Sequence, residues 1–549
     1  MKSLLVTVWL ILIILATSWF FFQPGMFYVH DYLHSARIAE MTRGLQDGHF
    51  PVRWSGHFGY GYGMPLFEFY APLPFYVGAV LTMVGVPLLL ATKLLFILCN
   101  VLTTVGSYML GKSIYGRVGG LITAAAISLA PYRAVNLYVR GALSESWGIM
   151  AIVWILYSIY LTAKGSKYSW VGLVVSLSVL FLSHNLLTLI FVPFSVVIGL
   201  ITLLYVHFSN RQKWSTFLQK TALFIFSYIL AVGISALYLF PAYFEKSFTQ
   251  VENIIIGGYF DYSLHFVYLR QFFSPNWGYG GSNWGPEDGI SFFLGYAQLI
   301  TVTVSVLSLL FVGKQLLLRL KQDFSKPRWW WFVSILVLLT VSLLLSTEKT
   351  SFIWKALPVM SFVQFPWRFL SVAIVLIGII SPFFLLIQQS FIKRWLLGWF
   401  FFLLFFTNAQ YFKPENFLDT PDQYFTGDAT VIENQLSEVL PDYLPSSAVQ
   451  IVPPASLASC SAECTITETI KSLTHYKELT VLANGDSTLT FSVNDFPGWF
   501  ATVDAAPVDI EQQSGLIQVS LTPGEHTVVL EFGSTRLLTV SDILSLGSL

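Results

Sequence analysis

Charge is scarce in this chain. Only 11% of its 549 residues are Asp, Glu, Lys or Arg, whereas 55% are hydrophobic and 17% aromatic. That balance excludes a large soluble enzyme and implies a polytopic membrane protein. The 30 basic and 30 acidic residues cancel, which argues against a nucleic-acid partner and against a strongly anionic surface as the target. Cysteine is nearly absent, with three in all. Cys99 lies inside an apolar run and reads as packing. Cys460 and Cys464 fall on the expected outer side, where an oxidising exterior permits a disulfide and two free thiols are the alternative. No small-residue cleavage site follows the first apolar run, "LLVTVWLILIILATSWFFF", which is therefore expected to be a retained helix rather than a removed signal peptide.

Long apolar runs are what the chain has in abundance. Each is long enough to cross a hydrocarbon core of roughly 30 Å, where an unpaired backbone group has no water partner and helix is required. Basic short loops at Lys112 to Arg117, Lys164 to Lys167, Arg211 to Lys220, Lys314 to Arg328 and Lys393 to Arg394 are assigned to the cytoplasm, together with Lys2. Eleven spans follow, near 4–22, 88–110, 117–132, 146–163, 170–184, 186–206, 221–241, 291–312, 329–346, 367–387 and 395–410. Residues 75–86 are read as interfacial or re-entrant, because a further span there would place Lys112 to Arg117 outside. Residues 23–74, 132–145, 242–290, 347–366 and the tail from about 410 are then extracytoplasmic.

The tail changes texture. After a connecting region, 411–474, the segments "ELTVLANGDSTLTFSV" and "GLIQVSLTPGEHTVVLEFG" alternate apolar and polar residues between turn signals. An extracytoplasmic β-domain is expected over 475–535, followed at 536–549 by the start of a final helix that the sequence does not complete. The expected fold class is an all-α membrane bundle followed by a small β-sandwich.

The polar residues sort to the outer side. "HDYLHSARIAEMTRGLQDGHFPVRW" places His30, His34 and Arg37 at i, i+4 and i+7, one helical face, with Asp31 beside His34. "PYRAVNLYVRGALSESWG" supplies Arg133, Arg140 and Glu145, and "SHNLL" supplies His184. The large loop "SPNWGYGGSNWGPEDGISF" supplies Trp277 and Asp288, and "QFPWRFL" supplies Gln364 and Arg368. Each has a bland alternative. Asp31 and Glu145 can serve helix N-termini, the arginines can snorkel to headgroups, Trp277 can sit in a rigid interfacial loop, and His184 can bridge two helices. The His30/His34 pair has metal spacing but lacks a further ligand, so zinc is not expected.

Taken in order, "LQDGHFPVRWSGHFGYGYGMPLFEFYAPLPFY", "APYRAVNLYVRGALSESWG", "LSHNLLTLIFVPF", "YLFPAYFEKSF" and "FPWRFLS" resemble the bacterial membrane family labelled 6-pyruvoyl-tetrahydropterin synthase-related, with its YfhO-like relatives. They also resemble, more distantly, the GT-C class of membrane glycosyltransferases. The resemblance covers essentially the whole chain. It implies a GT-C-like bundle that transfers a sugar from a polyprenyl-phosphate-linked donor to an envelope glycan, lipid or protein on the outer face. It also implies membrane lipids as partners and Asp31 as the functional carboxylate. Glu145 and Asp288 compete as a second acid, and His30, His34, Arg37, Arg133, Arg140, His184, Trp277 and Arg368 are the expected substrate-binding groups. A divalent cation such as Mg or Mn is compatible with Asp31 but is not read from the sequence. A lipid or polymer transporter and a structural envelope protein are the competing classes. Charges crowded on one face, rather than spread through the spans, separate a surface reaction from a conduit.

Overall fold

In the computed structural model the described residues are 2–255, 257–317, 326–386, 400, 404–439, 441–461 and 463–549. The chain is mostly helical, with a C-terminal region of β-strands, and it divides into two compact units. The first comprises Met1–Asp31, Lys93–Val232 and Gly258–Asp419; the second comprises Tyr32–Thr92, Gly233–Gly257 and Thr420–Leu549.

Eight helices among the described residues are long and apolar enough to cross a membrane, against eleven expected. Three differences account for this. The expected spans 88–110 and 117–132 are two legs of one helical run, Leu88–Ser128, folded back at Gly116, whose φ of 81° is open to glycine without strain. Small residues let the legs close: a Cβ at Gly120 would lie 2.7 Å from the Tyr108 carbonyl oxygen, and Thr104 Oγ1 meets Ser128 Oγ at 2.9 Å. The expected span 170–184 is the helix Ser169–Ser183, whose 15 residues reach only about 22 Å. Half of the expected span 395–410 lies outside the described residues, as does the basic pair Lys393 and Arg394. The expected span 221–241 is divided at Ser235 into Trp214–Ile234 and Ala236–Phe244. Leu73–Met83, in the stretch read as interfacial, has 11 residues and is too short to span.

Within the first unit, burial separates centre from rim. The segment Pro366–Leu385 is 94% buried by its neighbours, whereas Trp214–Ile234 is 17% buried and turns its apolar side chains outward. Hydroxyls inside the spans are satisfied by the preceding turn, as when Thr103 Oγ1 donates to the Cys99 carbonyl at 2.7 Å, so they cost little in an apolar surround.

The second unit is organised around nine strands: β1 (Ala458–Cys460), β2 (Cys464–Leu473), β3 (Tyr476–Ala483), β4 (Ser487–Asn494), β5 (Trp499–Val503), β6 (Ala506–Val508), β7 (Glu511–Gln513), β8 (Leu516–Leu521) and β9 (Gly524–Phe532). They form two antiparallel sheets, ordered β1-β4-β8-β7 and β2-β3-β9-β5-β6. Alternate residues enter one core: Leu479 and Val481 from β3, Leu489 and Phe491 from β4, Ile517 and Val519 from β8, Val528 and Leu530 from β9. The strands therefore begin at Ala458, inside the stretch expected to be a connecting region, and the Cys460–Cys464 disulfide joins the first strand of each sheet. The closing residues form the helix Arg536–Ser548.

The loop that carries Trp54 contributes to this domain: Trp54 is 2% exposed in the β-domain core, edge-to-face with Trp499 at 5.3 Å. Gly63 makes room for it, since a Cβ there would lie 2.3 Å from Trp54 Nε1. Glu40, on the helix His34–Gln46, ties this loop together. Its carboxylate accepts from Ser55 Oγ at 2.6 Å, from the His57 amide at 3.1 Å and from Arg43. Hydrogen bonding and charge from His57 and Arg43 outweigh burial and hold its pKa at about 2. Arg53 pairs with Asp542 of the closing helix at 2.6 Å.

Candidate functional site

The polar residues of the first unit converge where three segments meet. In the first, Pro131–Ala134 is one helical turn, widened over Val135–Val139 into a π turn that ends when the Arg140 amide donates to the Val135 carbonyl at 2.9 Å. π turns recur at functional sites because they re-aim a side chain. Gly141 follows with φ of 62°, and a Cβ there would lie 2.5 Å from Val29 Cγ2 and 3.1 Å from the Asp31 carbonyl oxygen. This is the close approach that lets the second segment pair with the first. His30 N donates to the Val139 carbonyl at 3.1 Å and Asp31 N to the Arg140 carbonyl at 2.9 Å.

That pairing keeps His30 and Asp31 out of the helix, which begins at His34. The expected face shared by His30, His34 and Arg37 therefore does not form. His30 Nε2 instead meets the Tyr279 carbonyl at 2.8 Å, and burial, reinforced by the charge of Arg140, lowers its pKa below the ordinary histidine value.

Glu145 lies in the first turn of Leu143–Lys164 and is 1% exposed. Its Oε1 accepts from Tyr132 Oη at 2.8 Å, Ser371 Oγ at 2.7 Å and Asn136 Nδ2 at 3.4 Å. Its Oε2 accepts from Arg140 Nη1 at 2.6 Å, with Arg368 Nε at 3.9 Å. The carboxylate is thus enclosed by donors and set between two guanidinium groups. Arg140 Nη1 also donates to Asn136 Oδ1 at 2.6 Å, and its guanidinium lies 4.5 Å above the Trp367 ring.

The third segment supplies Arg368, whose Nη1 donates to the Val363 carbonyl at 2.7 Å and to Gln364 Oε1 at 2.8 Å. Gln364 has φ 63° and ψ −53°, and the Phe365 amide bonds the Val363 carbonyl at 2.7 Å across it. This is a γ-turn of the strained sense, uncommon for a residue with a Cβ. The strain aims both Gln364 and the Val363 carbonyl at one guanidinium. His184 caps the helix Asn185–Ser209 by accepting from the Leu187 amide at 2.8 Å, and lies within electrostatic reach of Glu145.

The site thus gathers Asp31, Arg140, Glu145 and Arg368, with His30 and His184 at its edges. Asp31 is half-buried and electrostatically coupled to Arg140. Other expected site residues lie elsewhere in the fold. Arg133 is 1% exposed, donates to Asn100 Oδ1 and faces Cys99 inside the bundle. Asp288 accepts from Gln271 Nε2 at 2.7 Å and from the Asn283 amide at 2.8 Å, and so folds its own loop. Trp277 stacks on Tyr411 at 4.7 Å. His34 and Arg37 belong to the second unit, where Arg37 lies 4.2 Å over Tyr70 and 3.4 Å from His34 Nδ1. Residue-type reasoning passed over Tyr132, Asn136, Trp367 and Ser371. Tyr132 and Trp367 each stand beside an arginine already singled out; Asn136 and Ser371 carry no comparable signal. Among the described residues no group of three or more His, Cys, Asp or Glu is placed to hold a metal ion.

A family model described as the 6-pyruvoyl-tetrahydropterin synthase related domain, a membrane protein, matches residues 67–412, more than half of the chain. No curated protein matches the sequence. Among solved structures the chain is similar to arabinofuranosyltransferase AftD from mycobacteria, at 14% identity and a TM-score of 0.42, over 79% of this chain and 27% of that one. A mutant form of the same enzyme aligns at 15% identity with a TM-score of 0.42, over 75% of this chain and 28% of that one. The chain spans little more than a quarter of the length of those structures.

Proposed function

We propose that this chain, which belongs to the 6-pyruvoyl-tetrahydropterin synthase-related family of membrane proteins, is a membrane glycosyltransferase that moves a sugar from a polyprenyl-phosphate-linked donor to an envelope glycan, lipid or protein. The observation that carries this reading is the half-buried Asp31 set against Arg140, a guanidinium that Glu145 and Asn136 hold by one nitrogen. The planar guanidinium of Arg140 presents a fork of N–H donors that suits phosphate oxygens. Arg368 offers a second cation on the other side of Glu145.

In this mechanism the acceptor hydroxyl attacks the anomeric carbon while its proton passes to the Asp31 carboxylate. The bond from that carbon to the phosphate oxygen breaks, and the electron pair leaves with the phosphate. Arg140 and Arg368 stabilise the charge that develops there. Glu145 reacts with nothing; it keeps both cations in place without reorganisation. The lipid tail of the donor stays in the bilayer and the site faces the cell exterior, with the N-terminus in the cytoplasm.

The test is transfer from a polyprenyl-linked sugar pool to the native envelope acceptor in membranes. Asp31→Asn preserves shape and removes basicity, so turnover should fall on the order of a hundredfold with donor binding kept. Arg140→Ala and Arg368→Ala should weaken donor binding as well as turnover, because phosphate contacts act in both ground and transition states. Full activity in a well-expressed Asp31→Asn variant would remove Asp31 from the chemistry.

A further inference from the structure

The second unit contains a cavity of about 310 Å³ that the proposed transfer chemistry does not use. Tyr62, Glu433, Ser456, Thr474, Lys477 and Ser492 are among its lining residues. Gly61, with φ of 84°, brings the Tyr62 loop against the stem of Glu433, since a Cβ there would lie 3.3 Å from Glu433 Cγ.

The hydrogen-bonding capacity of this lining is only partly used. Ser456 Oγ donates to the Ala458 carbonyl at 2.9 Å and Ser492 Oγ to the Ser456 carbonyl at 2.7 Å, so both hydroxyls keep lone pairs to accept with. Lys477 Nζ donates to the Leu473 carbonyl at 2.7 Å and to Ser472 Oγ at 3.2 Å, leaving its third N–H. Burial lowers its pKa to about 8, so at neutral pH it remains mainly protonated. Glu433 makes no side-chain hydrogen bond among the described residues. Thr474 is 8% exposed, and its Oγ1 is buried with no partner although its own amide donates to Asp47 at 2.7 Å. A buried hydroxyl without a partner is unfavourable unless something supplies one.

We propose that this cavity binds a neutral sugar residue. One carboxylate and one ammonium cancel across it, so a phosphate group gains nothing from Lys477 that Glu433 does not oppose. An apolar ligand would bury the third N–H of Lys477 and the Thr474 hydroxyl without partners. A polyhydroxylated ring answers the mixture, because each hydroxyl both donates and accepts. The volume stands at the lower end of the roughly 300–1,000 Å³ usual for ligand sites, which suits one or two sugar rings rather than a folded polymer.

The experiment uses the full chain in detergent micelles and saturation-transfer NMR with the methyl glycosides of glucose, galactose, mannose and N-acetylglucosamine. Glucose 1-phosphate is the charged control. At least one neutral glycoside should bind with a Kd on the order of 1 mM, the range open to a few hydrogen bonds at a small site. Glu433→Ala and Tyr62→Ala should each weaken it by about tenfold, the loss of one good hydrogen bond to a ligand. Thr474→Val should also weaken binding, yet unfold at the same temperature or higher, because it deletes an unsatisfied hydroxyl. Asp31→Asn should bind the glycoside as the parent does, which separates this site from the transfer site. Absence of glycoside binding, tighter binding of glucose 1-phosphate, or unchanged affinity in all three cavity variants would each overturn the proposal.

Discussion

Replacing Glu145 by Gln would remove one of the two carboxylates that face the enclosed Arg140 guanidinium, leaving Asp31. Arg140 Nη1 and Glu145 Oε2 are 2.6 Å apart, and their side chains are only 12% and 1% exposed. Unit charges about 4 Å apart attract by about 4 kcal/mol at an effective dielectric near 20. Removing one partner of such a buried pair typically costs about 3–5 kcal/mol. The amide keeps the volume of the carboxylate, but its oxygen cannot serve Tyr132, Ser371 and Arg140 together, and its NH2 group turns a donor toward other donors. Arg140→Met should cost less, because Glu145 retains Tyr132, Ser371 and Asn136, with Arg368 nearby. The double variant should recover part of the loss, giving a coupling energy of about 2 kcal/mol or more. Denaturant titration of the four proteins in mixed micelles, followed by intrinsic tryptophan fluorescence, measures the cycle. The double variant should still lack transferase activity, which separates stability from function. A coupling below about 0.5 kcal/mol, the scatter of independent sites, would refute the account of Glu145 as the residue that holds Arg140.

The second unit should carry a pH signature from Asp442. Burial raises its pKa to about 6, opposed by the charge of Arg37, so the folded state binds a proton that the unfolded chain has released. Its contribution favours folding at low pH and is lost as pH rises from the ordinary aspartate value of 3.8 through about 6, and Asp442→Asn should flatten thermal stability across that window. Cysteines introduced singly into residues 23–74 and into the tail should react with an impermeant reagent in intact cells. Trp54 within the β-domain core requires both segments to lie on one side of the membrane. Labelling of one region and protection of the other would contradict that core.

Much of the plan was legible in the sequence because its determinants are local. Apolar runs longer than the hydrocarbon thickness have helix as their available state, and period-two alternation marked strands that did form. The convergence of Arg140, Glu145 and Arg368 was partly legible too, because charges that are costly in lipid collect at the ends of spans. Turn residues were read for the reversals they make but not for pairing. Asn484 and Gly485 separate β3 from β4, and Pro523 precedes β9, yet in both cases the chain passes from one sheet to the other instead of closing a hairpin.

What the sequence by itself determined, then, is where apolar helices and alternating strands form and where charges gather near their ends, since each depends on neighbours within a few residues. Only the tertiary structure decided what those pieces do. Asp31 and His34 are three residues apart, but the bonds of the His30 amide to Val139 and of the Asp31 amide to Arg140 hold the first outside the helix that the second starts. Asp288 and Glu145 are equivalent as isolated acids, yet one folds a loop and the other orders a pair of arginines, because burial and partners set the role of a carboxylate. Trp54 became β-domain core through contacts with residues more than four hundred positions away, a pairing that no local pattern encodes, because the hydrophobic effect rewards burial and is indifferent to separation along the chain.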